Sequence, residues 1–272
     1  MTNQMTTLLE IMVRLRDPQH GCPWDREQTM LSLLSYTLEE CYEVVDAVER
    51  QAMTDVCDEL GDLLFQVVFY SRIAEEAGLF DFEAVAAGIV AKLQRRHPHV
   101  FGDAPIPSAA EQHRAWEQHK ERERERRSDP VPQGQSRALA GVAQALPALV
   151  RAVKLQQRAA RVGFDWRAVR EVLAKVEEEL EEVREELPTG NPGRLTHEIG
   201  DLLLATSNLA RHVGVDPETA LRRANCRFEQ RFAAMERMVG EGGQRLAALT
   251  PAELESLWVC VKEEEKAAQS KG

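Results

Sequence analysis

The stretch EECYEVVDAVERQAMTDVCDELGDLLFQVVFY, residues 39–70, decides how this chain is read. It opens with Glu39, Glu40 and Glu43, and residues three or four apart share a helix face. At 3.6 residues per turn, these side chains project within roughly 100° of one another. Glu59 and Asp62, again three apart, begin a second helical pattern that continues as LLFQVVFY, apolar on nearly every side. Such a run marks a central helix, and carboxylates at its head are costly unless they are paired or bind metal. If the two helices pack antiparallel, four or more carboxylates converge, and they cannot all stay ionised without a compensating cation. A hard oxygen site of this kind suits Mg²⁺ or Mn²⁺. A solvated acidic face would account for Glu39, Glu40 and Glu43 alone, but not for Glu59 and Asp62.

Working outward, the same plan occurs a second time. One constant offset superposes Glu39, Glu40, Glu43 and Val44 on Glu178, Glu179, Glu182 and Val183. It also superposes Glu59, Gly61, Asp62, Leu63 and Leu64 on Glu198, Gly200, Asp201, Leu202 and Leu203. Two motifs held at one internal distance indicate a duplication. Between the copies, ERERERRSDPVPQGQSR (residues 121–137) has alternating charges and then Pro130, Pro132 and Gly134, a linker signal. The expected division is therefore 1–130 and 131–272.

Each half reads as about four helices. In the first they are expected over 5–16, 29–51, 54–77 and 82–96, with PQHGCP, Gly78 and His97-Pro98 as breaks; Leu34, Leu38, Tyr42 and Val45 share one stripe. In the second they are expected over 140–162, 167–187, 193–213 and 216–239, broken by Gly163, PTGNPG and Gly214. Residues 108–127 and 251–268 would close the two halves. Ala, Leu, Glu, Arg and Gln dominate the composition and favour helix, so the fold class is all-α, two tandem four-helix-type modules. Gly61 and Gly200 inside helices cost about 1 kcal/mol each relative to Ala; close helix packing or substrate approach would explain them.

The net charge of −11 argues against a general nucleic-acid groove. No run of about 18 apolar residues occurs, so no membrane span is expected. The N-terminus is charged too early for a signal peptide, and the expected compartment is cytoplasmic. Cys22, Cys41, Cys57, Cys226 and Cys260 form no C-x-x-C pair and read as reduced core residues. His97 and His99 flank a helix end, where capping or packing is expected.

A second constellation recurs. The first half has Lys92 and Arg96, then Trp116 and Lys120; the second has Arg227 and Arg231, then Trp258 and Lys262. Cations four apart, facing a metal–carboxylate cluster, suit a polyphosphate. Lys175 and Arg194 are matched in the first half by Tyr36 and Asp55, so the second half is better equipped to neutralise phosphate.

These residues resemble the MazG family of nucleoside triphosphate pyrophosphohydrolases in its tandem form. The first half carries GCPWDREQT, the acidic run, ELGD and RRHPHVFGD; the second carries KLQQRAARVGFDW, EELEEV, EIGDLL, NLARHVG and ANCRFEQRF. The resemblance implies an all-α dimer that hydrolyses an NTP or dNTP between the α and β phosphates, in the service of clearing unwanted nucleotides. It implies Mg²⁺ ligands at Glu179, Glu182, Glu198 and Asp201, with Glu40, Glu43, Glu59 and Asp62 as their first-half equivalents. Lys175, Arg194, Arg227, Arg231, Trp258 and Lys262 would form the substrate set, and Glu178 or Glu39 would orient or deprotonate water. The other readings are a narrower pyrophosphohydrolase, for dUTP or phosphoribosyl-ATP, or a non-catalytic metal-binding helical protein.

Overall fold

The computed structural model describes residues 4–106, 108, 136–241, 243 and 245–269. The chain divides into two compact units, Met1–Arg127 and Ser128–Gly272. The described residues are helical and contain no strand, so the fold is all-α. The expected linker 121–137 and closing helix 108–127, with Trp116 and Lys120, lie almost wholly outside the described residues.

In the first unit the helices are α1 (Gln4–Leu15), α2 (Pro23–Glu27), α3 (Leu34–Glu49), α4 (Met53–Glu76), α5 (Phe82–Arg96) and α6 (Pro98–Phe101). Met12, Leu33, Val68 and Phe69 form its buried centre, joining α1 and α4 to the turn before α3. The Thr37 hydroxyl and the Tyr70 hydroxyl, 2.9 Å apart, tie α3 to α4. Asp81 caps α5 by accepting the Ala84 N–H at 2.8 Å.

The second unit holds α7 (Ala148–Arg161), α8 (Val169–Glu186), α9 (Pro192–His212), α10 (Pro217–Glu241) and α11 (Pro251–Gln269). Asn191 caps α9 through the N–H groups of Gly193 and Arg194. In each unit a short turn joins the two motif helices, α3 to α4 and α8 to α9, which pack on each other as an antiparallel pair.

Several expectations change. The helix expected from residue 29 starts at Leu34, because Thr29 and Ser32 bond each other's backbone N–H groups and hold a turn. The helix expected from residue 140 starts at Ala148, after Pro147; the preceding segment is instead held by buried Arg158, whose guanidinium donates to the Leu139 and Gly141 carbonyls. Helix α2, an element not expected, starts at the last residue of the PQHGCP break and runs to Glu27. Cys41, Cys57 and Cys226 are exposed rather than core. Leu34, Leu38 and Tyr42 are exposed as well, so that stripe is not covered within its own unit. A Cβ at Gly61 or Gly200 would meet nothing within 4 Å, so packing inside the unit does not explain either glycine. His97 does sit at the C-cap of α5, with Nδ1 2.8 Å from the Leu93 carbonyl.

Candidate metal and phosphate sites

The two helix pairs do what their spacing suggested and bring carboxylates together. In the first unit, oxygens of Glu40, Glu59 and Asp62 lie within 4.8 Å of one another. In the second, oxygens of Glu179, Glu182 and Glu198 do the same. Glu43 is not part of the tight first trio, although its charge is felt by both Glu40 and Glu59. Asp201 groups instead with Glu198 and His197.

Electrostatics follow from this crowding. Burial raises the Glu40 carboxyl above its usual range, and the charges of Asp62, Glu43 and Glu59 push the same way. Glu59 is raised by burial and then by Glu43 and Asp62. Glu182 is raised by burial and then by the charge of Glu179, with Lys175 opposing. Each trio is thus short of positive charge.

Glu179 shows the shortage at a single atom. Its side chain is only 8% exposed. Lys175 Nζ reaches its Oε1 at 2.8 Å, while Oε2 is buried with no hydrogen-bond partner among the described residues. An unpartnered buried carboxylate oxygen is costly. A hard cation would satisfy it, and the all-oxygen donor set fits Mg²⁺. Glu179, Glu182 and Glu198 are the residues that would hold the ion, with Asp201 beside Glu198.

The phosphate-side residues are more dispersed. Lys175 sits against the cluster and also donates to Glu178 Oε1 at 2.8 Å; that bond and the one to Glu179 hold its ammonium well above the usual lysine range. Arg194, in the first turn of α9, is 70% exposed and 3.9 Å from Glu186. Arg231 binds Glu265 at 2.7 Å and lies over the Trp258 ring, 5.6 Å from its centroid. Phe228 packs on the same tryptophan. Arg227 is exposed and Lys262 half-buried on the same two helices. Among the described residues no ion pair joins these α10–α11 cations to the carboxylates of α8 and α9. In the first unit Lys92 is half-buried and Arg96 buried. Tyr36 packs edge-on against Trp24, and Asp55 is bound by Arg50 at 2.9 Å, so neither stands in for a cation.

One residue escaped the sequence reading. His197 places Nδ1 3.3 Å from Asp201 and 3.7 Å from Glu198. The signal was present as His-Glu-x-x-Asp, because residues four apart on a helix meet.

Comparison with known proteins agrees with this architecture. The family model described as the MazG nucleotide pyrophosphohydrolase domain matches residues 28–101 and 167–233, and each stretch contains one carboxylate trio. The chain is 48% identical to a nucleoside triphosphate pyrophosphohydrolase of Escherichia coli, over 97% of this chain and 98% of that one. It is 41% identical to the nucleoside triphosphate pyrophosphohydrolase/pyrophosphatase MazG of Thermotoga maritima, over 92% of both.

Proposed function

The chain belongs to the MazG nucleotide pyrophosphohydrolase family, and from that membership we propose that it hydrolyses nucleoside triphosphates to the monophosphate and pyrophosphate, using Mg²⁺ at its carboxylate trios. The observation that carries the metal reading is the buried, unpartnered Oε2 of Glu179 inside such a trio. When bound, the ion would order the triphosphate and polarise its oxygens.

The residues of the chain supply the rest. Water attacks the α phosphorus, the bond to the α–β bridging oxygen breaks, and pyrophosphate leaves. Glu178 is exposed beside the cluster, with one oxygen held by Lys175 and the other free to accept the proton that water loses. Glu39 has the corresponding place in the first unit. In this reading Lys175 and Arg194 supply positive charge to the leaving phosphates, and Arg227 and Arg231 add to it if the substrate bridges the helices.

We further read the protein as a homodimer. Leu60 and Leu64 on α4, and the corresponding Ile199 and Leu203 on α9, are exposed and flank the open surfaces of Gly61 and Gly200. A second copy would cover these faces. Five unpaired thiols suit a reducing compartment, and so a place in the cytoplasmic nucleotide pool.

The test is to incubate the purified protein with a panel of NTPs, dNTPs including dUTP, and phosphoribosyl-ATP, with and without Mg²⁺, and to measure pyrophosphate. Release that requires the metal supports the proposal, and the panel separates a broad enzyme from one confined to dUTP or phosphoribosyl-ATP. Release no faster than in buffer would leave a metal-binding helical protein as the better description.

A further inference from the structure

The first unit contains a cleft of ≈ 550 Å³, within the size range of small-ligand sites, whose lining includes Arg16, Arg26, Arg72, Glu27 and Glu76. It lies away from the carboxylate trio. Arg72 and Asp62 share α4, and a rise of ~1.5 Å per residue puts about 15 Å of helix between them. Most of the lining precedes residue 28, where the family match begins.

The floor of the cleft is firmly built. Arg16 is 8% exposed at its side chain. Its Nε and Nη2 grip both oxygens of Glu76, and Nη1 donates to the carbonyls of Asp25 and Gln28. Its guanidinium also lies over the Phe69 ring, 5.5 Å from the centroid. Arg72 donates through Nε to Glu76 at 2.9 Å and through Nη1 to Glu75 at 3.0 Å. The loop leading into α2 is tight. The side chain of Asp17 accepts the N–H groups of Gln19 and His20, and a Cβ on Gly21 would collide with the Leu15 and Asp17 carbonyls.

What remains over is hydrogen-bond donor capacity. Glu76 is spent on two guanidiniums, Nη2 of Arg72 carries no bond, and the side chain of exposed Arg26 makes no hydrogen bond or ion pair with any described residue. Glu76 and Glu75 balance Arg16 and Arg72, and Glu27 is the one further carboxylate in the lining, so the cleft offers unused guanidinium donors on Arg26 and Arg72. Guanidinium pairs bind phosphate through forked, charge-assisted hydrogen bonds.

We propose that this cleft binds a small phosphate-bearing anion through Arg26 and Arg72, on the fixed floor made by Arg16 and Glu76. The ligand class is inorganic pyrophosphate or the phosphate end of a nucleotide, and a cleft of this volume holds one such molecule. The idea does not depend on the proposed hydrolysis.

Titration calorimetry on the full chain tests it, with pyrophosphate and AMP as separate probes and EDTA present so that the carboxylate trios carry no metal. Saturable binding of pyrophosphate alone, of AMP alone or of both supports the site, and the pattern tells free phosphate from phosphate ester. Arg26→Ala is expected to weaken that binding about tenfold, and Arg26→Lys to weaken it less. The Arg26 side chain bears no structural bond, so the melting temperature of the ligand-free protein should not change. No binding of either probe, or equal binding by wild type and Arg26→Ala, would overturn the proposal.

Discussion

Glu179 and Glu40 occupy the same place in the two repeats, yet their surroundings differ. Glu179 is buried, with Lys175 on one oxygen and nothing on the other. Glu40 is half-buried among carboxylates, with Tyr36 where the lysine would be. Removing the charge of Glu179 should therefore be the more damaging change. Glu179→Gln is expected to lower Mg²⁺-supported pyrophosphate release about 100-fold, and Glu40→Gln by much less; equal losses would contradict the asymmetry. Crowding also predicts a pH effect. The folded-state values of Glu40, Glu59 and Glu182 lie above the ordinary glutamate range. For raised acids, stability is fully present below the unfolded value and is lost as pH rises through the folded one. Thermal melts of the metal-free protein should therefore fall from the ordinary glutamate range upward, and Mg²⁺ should restore them at neutral pH. A melting temperature that ignores Mg²⁺ across that window would count against a metal at the trios. Which carboxylates share a helix face was readable from spacing. Spacing also put His197 within reach of Asp201, but that Asp201 turns to it rather than into the trio was not readable, since spacing gives a face and not a rotamer.

At the scale of elements, the two motif hairpins solve the same turn with different residues. Gly190 takes φ 60° after α8, where glycine is unstrained; Gln51 takes φ 59° after α3, where it is not. Gln51→Gly should stabilise the first unit by about 0.5–1 kcal/mol, the left-handed penalty less the entropy glycine adds to the unfolded chain. Chemical denaturation reads this directly, and a fall in midpoint would refute it. Helix periodicity located α4, α5 and α9 nearly to their ends. It overran at α3 and α7, because the bonds that hold those helix starts back are specific contacts: Thr29 with Ser32, and Arg158 with the carbonyls of Leu139 and Gly141.

At the scale of the whole molecule, the long apolar pattern of α4 is only partly used. Val68 and Phe69 are at 1% and 0% exposure, while Leu60 and Leu64 on the same helix stand open. A paired chain would bury them at roughly 1.5–3 kcal/mol for each side chain. The double substitution Leu64→Lys and Leu203→Lys should therefore convert a dimer to a monomer in light scattering, whereas exposed leucines on a natural monomer would tolerate lysine with no change in mass.

The sequence alone determined the helical class, the duplication and the pairing of carboxylates, because helix periodicity and charge repulsion act locally and leave a spacing behind. Only the tertiary structure decided which oxygen lacks a partner, which apolar stripe goes uncovered and where Arg16, Arg26 and Arg72 meet. Those depend on burial and on contacts between residues far apart in the chain, such as Arg16 with Glu76, and no local pattern encodes them.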